Sequence, residues 1–559
     1  MQVDEASDRS ELRLPVWTPG SYMVREFARH VQDFHAADER GGPLRWSKTR
    51  KDTWSIEGSP SGQLVVEFDV YANDLTVRTS HVDRSHAFLN ASNLLPYVAG
   101  RTDEPLFVAV RPPEFWKIAT GLPPSAQDAA AFVAQDYDEL VDSPLHLGPD
   151  PQYEFDVDSV PHTIATWGRG NLEPDRLTGD VARIIQSQRA LFGGLPYERY
   201  VFILLLTDGA GGGLEHRNSS SLMIPRFRFR PGRPYERSLS LVAHEFFHTW
   251  NVKRIRPAAL GPFDYGAENY TRLLWAMEGI TDYYTWLTLR RTGLVSVERY
   301  LEIVGEQMSE QAETPGRHLQ SLEEASFDAW IKYYRPDEHS VNSAISYYRK
   351  GALASLLLDL EMRRRSRGER TLDDLMRVLW ERYGQTGAGI PEDGYERLVA
   401  ELVPGAWAEF FDRAIRGRGE LKYDGPLSAM GVEVDWRTDP QASAVWLGLQ
   451  TRTDAGRLKV TSVLSNGPAW EVGLAAGDEI LALDGYRADE VSLGERLRDY
   501  RPGDTVTLAA FHRDELVEIP ITLSARPASR ATLRRTRRPS VLQRTLFDDW
   551  VREQPAGAP

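Results

Sequence analysis

His244-Glu245-Phe246-Phe247-His248 sets two of the chain's 12 histidines four residues apart, with a glutamate between them. On a helix that spacing puts both imidazoles on one face, one turn apart, where they can reach a single tetrahedral metal. Glu245 then stands beside the water that the metal activates, as a general base. The plain alternative is a helix carrying two unrelated histidines. A zinc hydrolase needs a third protein ligand and an open fourth position. Trp275-Ala276-Met277-Glu278-Gly279-Ile280-Thr281-Asp282, within a helix-like run from Tyr270 to Arg291, supplies Glu278 as that ligand. Asp282, one turn later on the same face, is placed to accept the outward N–H of a liganding histidine and fix its tautomer; otherwise it is a solvated surface acid.

Composition narrows the remaining choices. With 559 residues, 41% hydrophobic and 26% charged, the chain can bury several cores, and its length suggests about three or four domains. A net charge of -15 disfavours a nucleic-acid partner, which needs a basic face. No run of about 18 apolar residues exists to form a transmembrane segment. Cysteine is absent, so disulfides and thiolate ligands are excluded and the donors for one zinc ion per chain are histidine and carboxylate. The same donor set also accepts cobalt or manganese. Residues 1–9 contain no apolar stretch of the signal-peptide kind, which favours the cytoplasm.

The periodicity changes along the chain. Residues 1–167 are short alternating segments, such as Leu64-Val65-Val66-Glu67-Phe68-Asp69-Val70-Tyr71, broken by Gly, Pro and Asp, and predict an N-terminal antiparallel β domain. Residues 168–423 are mainly helical: Val181, Ile184, Ile185 and Leu191 are helically spaced, a strand follows at 200–206, and further helices carry the candidate ligands. Residues 427–526 alternate strands with a short helix. The last segment, 527–559, is arginine-rich (Arg530, Arg534, Arg535, Arg537, Arg538, Arg544). It reads as a solvated tail or as a contact for anionic lipid or an acidic face of the protein, with Leu546, Phe547 and Trp550 able to dock as a short helix.

HExxH followed on a later helix by Glu278 and Asp282 resembles the gluzincin metallopeptidases. The longer stretch His244 to Pro257, with Thr249-Trp250-Asn251-Val252-Lys253-Arg254 inside it, resembles the signature of the glycyl aminopeptidase family, gluzincins with a C-terminal PDZ domain. Leu14-Pro15-Val16-Trp17-Thr18-Pro19-Gly20-Ser21-Tyr22, Arg25-Glu26-Phe27 and Asp74-Leu75-Thr76-Val77-Arg78 are similar to that family's N-terminal motifs. Trp446-Leu447-Gly448-Leu449, Gly477-Asp478-Glu479-Ile480-Leu481 and Leu483-Asp484-Gly485 resemble a bacterial PDZ domain. The resemblance implies a multidomain α+β chain: an N-terminal antiparallel β domain, a thermolysin-like, mainly helical catalytic domain and a PDZ domain able to take a peptide C-terminus. Relative to the family the first strand before Leu12 is missing, so an export signal upstream and a periplasmic location are the alternative to the cytoplasm.

Two segments acquire roles from the clan. Gly212-Gly213-Leu214-Glu215-His216 resembles its Gly-x-Met-Glu-Asn stretch, which implies that Glu215 holds the substrate's free α-amine, with Gly213 and His216 beside it; Leu and His replace Met and Asn here, and a plain glycine-rich turn is the alternative. Tyr348-Arg349-Lys350-Gly351, at the start of an apolar helix from Gly351 to Met362, resembles Tyr-x-Lys-Gly, which implies that the Tyr348 hydroxyl steadies the oxyanion; Tyr347 is adjacent, and a core role is the alternative. The implied activity is a zinc aminopeptidase removing N-terminal glycine and alanine from peptides with free N-termini. The competing expectations are a PDZ-assisted endopeptidase and a non-catalytic peptide-binding protein on a protease scaffold.

Overall fold

The computed structural model describes residues 1–58, 62–126, 128 and 131–554. Leu64–Val70 is a strand with Leu64 and Val66 buried, antiparallel to Gln2–Val3 on one side and Val31–Asp38 on the other. A second antiparallel sheet, ordered Trp46–Arg50, Thr53–Glu57, Arg9–Arg13, Tyr97–Val98, shares with it a core that includes Leu12, Phe34, Trp54 and Ile56. Alternation along these strands is what gives each sheet one apolar face.

The hairpin Gln152–Val157 and Val160–Trp167 departs from the expected division. Its second strand pairs in parallel with Tyr200–Thr207, so the boundary expected at 167 falls near 150. The reason is burial: Val157 and Ile164 share a core with Leu177, Val181 and Ile184 of the helix Pro174–Phe192. The resulting five-stranded sheet runs Gln152–Val157, Val160–Trp167, Tyr200–Thr207, Ser219–Pro225, Gly212–Glu215. Every residue of Tyr200–Thr207 is buried, as befits a central strand, whereas Gly212–Glu215 forms an edge.

Beside this sheet lies the helical part. The helix Arg233–Phe247 has Pro234 in its first turn, where a missing N–H costs nothing, and buries Leu239, Val242 and Phe246. The helix Leu274–Arg291 is buried on almost all sides. It crosses the helix Arg349–Ser366 at Gly279 and Gly351, where a β-carbon on Gly351 would stand 2.9 Å from the Cα of Gly279. Only glycine at both positions permits that approach, and the crossing brings Glu278 and Tyr348 to one cleft.

A separate core built from Val445 to Leu523 belongs to the third unit. It holds a sheet ordered Leu449–Asp454, Arg457–Val463, Glu479–Leu483, Thr505–His512, Glu515–Thr522 and the helices Pro468–Glu471 and Glu490–Arg496. Asn342 of the helical part clamps it, donating to Val463 O and accepting from Ser465 N, both at 2.8 Å.

The described residues after 527 are not a solvated tail. Arg530–Arg535 pairs with Val432–Arg437, outside the third unit's sheet, and the helix Val541–Trp550 docks on the core of the helical part. Trp550 is fully buried with its Nε1 donating to the Tyr283 hydroxyl at 3.1 Å. Burial of Leu546, Phe547 and Trp550 holds the segment down although the arginines before them favour water.

Candidate active site

Four residues apart on their helix, His244 and His248 present their Nε2 atoms 3.1 Å from each other, and these lie 3.4 and 3.3 Å from Glu278 Oε2. His248 Nδ1–H donates to Asn251 O at 2.7 Å. His244 Nδ1 lies 3.3 Å from Thr285 Oγ1, whose own proton goes to Thr281 O, so the threonine oxygen accepts. With both Nδ1 atoms donating, each neutral imidazole turns an Nε2 lone pair into the cluster. Glu278 Oε2 is buried and has no hydrogen-bond partner. Three lone-pair atoms thus converge with no donor between them. A tetrahedral ion bound at about 2.0–2.1 Å has ligand edges of roughly 3.3–3.4 Å, so the arrangement fits zinc.

The local field favours positive charge at this point, whether a proton or a metal ion supplies it. Burial opposes charge on both imidazoles, yet carboxylates outweigh it: Asp282, Glu278 and Glu245 raise the pKa of His244, and Glu278 and Glu215 raise that of His248. Burial also pushes Glu278 up, but the two histidines hold it down at about 2. The Glu245 carboxyl is pushed up by burial to about 7, against the pull of the same histidines. Asp282 Oδ1 is 3.7 Å from His244 Nδ1, farther than Thr285; the expected outer partner of the histidine is therefore shared between threonine and aspartate.

The residues after His248 build the frame. Asn251 Nδ2 donates to Ala276 O and Met277 O at 3.1 and 3.0 Å, tying the histidine helix to the Glu278 helix. Lys253 reaches into the N-terminal domain to pair with Asp142 at 2.7 Å. Buried Arg254 donates to Arg217 O, Thr249 O, Pro196 O and Asn218 Oδ1, fixing the loop that follows Glu215.

Glu215 ends the edge strand, 3% exposed, with Oε1 unpartnered. Glu215, Glu245 and His248 bring ligand atoms within 4.8 Å of one another. Gly213 lines the same cleft, and any β-carbon there would overlap the Glu245 carboxylate. His216 points elsewhere. Its ring is buried between Asp142 Oδ1 at 3.4 Å and Ser221 Oγ at 3.3 Å and does not line the cleft, because successive side chains of a strand face opposite ways.

Tyr348 faces the cleft, its ring 6.0 Å from that of His244; Tyr347 is fully buried and does not. Burial, then the Glu278 charge, raise the Tyr348 pKa, so its hydroxyl keeps its proton. Tyr334 and Tyr333 also line the cleft, with the Tyr334 hydroxyl 3.3 Å from that of Tyr348. The cleft, about 480 Å³, further includes Gly20 and three arginines, Arg78, Arg228 and Arg237. Sequence reading passed over Thr285, Tyr334 and the last two arginines. Only Tyr334 had a signal, as half of an aromatic pair in a loop; Gly20 and Arg78 lay inside motifs already noted.

Residues 1–149 match the Peptidase M61 N-terminal domain, residues 237–354 the M61 glycyl aminopeptidase, and residues 444–523 a PDZ domain. Among solved structures, the chain is similar to an aminopeptidase N family protein from Idiomarina loihiensis, with 33% identity, a TM-score of 0.93, and coverage of 98% of this chain and 96% of that one. It is also similar, at 16% identity and a TM-score of 0.47, to an M1 zinc metallopeptidase from Deinococcus radiodurans, covering 75% of this chain and 89% of that one. A comparison with curated protein sequences finds no match.

Proposed function

The chain belongs to the M61 glycyl aminopeptidase family and is a zinc metallopeptidase, and we propose that it removes small N-terminal residues, glycine and alanine first, from peptides with a free α-amine. Glu215 carries this reading. A buried carboxylate with an unpartnered oxygen, at the end of an edge strand and next to Glu245, is what a protonated α-amine would satisfy. The preference for small residues follows the family's description.

In this reading His244, His248 and Glu278 hold one zinc ion, with Thr285 and Asp282 behind His244 and Asn251 behind His248. Bound there, zinc supplies Lewis acidity, polarising the scissile carbonyl and making water acidic near neutrality. Glu245 takes the proton of the attacking water and returns it to the leaving amine; a carboxyl shifted toward neutral pH suits both transfers. The Tyr348 hydroxyl donates to the developing oxyanion, with Tyr334 orienting it. Gly212 and Gly213 offer an open strand edge along which a peptide can lie. His216 keeps a positioning role through Asp142 and Lys253. The PDZ domain takes a peptide C-terminus along the edge strand Leu449–Asp454. No described helix is long and apolar enough to cross a membrane; a cytoplasmic location is part of the proposal and is checked by cell fractionation.

The test is metal analysis together with rates on glycyl and alanyl dipeptide amides, free and N-acetylated. An acetylated substrate leaves Glu215 buried and unpaired, a cost of about 3–5 kcal/mol or a hundred- to several-thousandfold in kcat/KM. Glu215→Ala should erase most of that difference. Comparable cleavage of both forms by the unaltered enzyme would replace this reading with an endopeptidase.

A further inference from the structure

We propose that the cleft prefers substrates carrying a carboxylate a few residues beyond the cleaved bond, received by Arg228 and Arg237 with Arg78 on the facing wall, so that short peptides with a free C-terminus are its best substrates. This rests on the aminopeptidase reading, which fixes the amine end at Glu215.

The direction of the bound peptide follows from the sheet. Glu215 lies opposite Ser220 and Gly212 opposite Met223 on the neighbouring antiparallel strand. A peptide anchored at Glu215 and laid along this edge passes Gly213 and Glu245 and leaves toward Gly211 and Pro225. There the chain turns, with Arg228 N donating to Pro225 O at 3.0 Å, which folds Arg228 back to the strand end. Arg237 approaches the same end from the helix. It stands seven residues before His244, about 10 Å along the axis, and both residues line the cleft.

These guanidinium groups are free. Among the described residues the side chains of Arg228, Arg237 and Arg78 have no hydrogen bond and no ion pair, and Arg78 Nε is buried without a partner. Their neighbours are engaged: Arg226 donates to Thr207 O and Arg233 pairs with Glu302. The cleft therefore carries acids at the amine end and two unpaired cations, Arg228 and Arg237, at the exit, a polarity complementary to a zwitterionic peptide. An extended chain advances about 3.4 Å per residue, and four strand positions separate Glu215 from Gly211, so a tri- or tetrapeptide brings its terminal carboxylate within reach of the arginines. A cleft of about 480 Å³ is the size of a small-ligand site.

The experiment compares kcat/KM for Ala-Ala-Ala, Ala-Ala-Ala-amide and Ala-Ala-Glu-amide, all with free amines, on the zinc-loaded full chain and on Arg228→Gln, Arg237→Gln and the double variant. The free acid should be favoured over the amide on the order of tenfold or more, the gap shrinking in high salt and collapsing in the double variant. Thermal melting checks that these exposed-residue variants stay folded. Equal rates on acid and amide overturn the proposal, as does a preference that survives the double substitution. If Ala-Ala-Glu-amide matches the free acid, the recognised carboxylate is a side chain and the short-peptide preference is wrong. Absence of cleavage of all three peptides would instead sink the aminopeptidase reading beneath it.

Discussion

Gly20 of the N-terminal domain lies against the carboxylate of Glu215: a β-carbon at position 20 would stand 2.6 Å from Oε1 and 2.8 Å from Oε2. Gly20 also has φ +84°, a conformation that L side chains rarely adopt. Gly20→Ala should displace Glu215 and lower kcat/KM on free-amine substrates by tenfold or more, while N-acetylated substrates, already poor, change little. Rates on matched substrate pairs check this, and an unaltered ratio would separate Gly20 from amine recognition.

In the proposed mechanism Glu245→Gln removes the base and no ligand. Metal content should stay at the unaltered level while kcat falls by about 10²–10⁴. Glu278→Gln should instead lose metal, since it weakens the donor whose Oε2 faces both imidazoles. Elemental analysis beside kinetics separates the two, and a chelator should abolish activity that added zinc restores.

Tyr348→Phe should lower kcat about a hundredfold with little effect on KM, the mark of an oxyanion donor. Tyr334→Phe, one hydroxyl farther out at 3.3 Å, should have a smaller effect of the same kind. Tyr347→Phe deletes a buried hydroxyl that has no partner, so it should leave rates alone and not lower stability.

Asp142 predicts an acid-sensitive seam between domains. Burial pushes its carboxyl up, but Lys253 and then His216 hold it at about 2. A depressed folded pKa means stability present above the ordinary carboxylate value of ~3.9 and lost as pH falls through about 2, worth on the order of 2 kcal/mol. Asp142→Asn removes this dependence and leaves the Lys253 charge buried, costing about 3–5 kcal/mol at neutral pH. Denaturant melts between pH 2 and 6 measure both effects.

Trp550→Ala should cost about 3–5 kcal/mol, because the indole fills the catalytic core and donates to Tyr283. A chain ending at residue 527 should melt earlier than the full chain by a comparable amount. An unchanged melting temperature for either would return the segment to the status of a tail.

Sequence alone determined whatever depends on local period and residue type. HExxH spacing, the carboxylate on a second helix and the absence of cysteine selected a His/His/Glu donor set, and those three atoms meet within 3.4 Å. Alternation assigned the β-rich start, and the glycine-bearing motifs marked the PDZ unit. Tertiary structure decided everything that depends on which faces are covered. The hairpin at 152–167 alternates like the strands before it, yet joins the catalytic sheet because the helix Pro174–Phe192 buries its apolar side. Tyr347 and Tyr348 are alike in residue type and only the motif resemblance favoured Tyr348; the fold buries the one and turns the other to the cleft. Strand alternation turned His216 away from Glu215, and the arginines of the final segment were held by three apolar side chains that found a core. Gly20 and Glu215 are 195 positions apart, and contacts across such separations leave no periodic trace, because each partner satisfies its own local element and only the packing of whole domains brings them together.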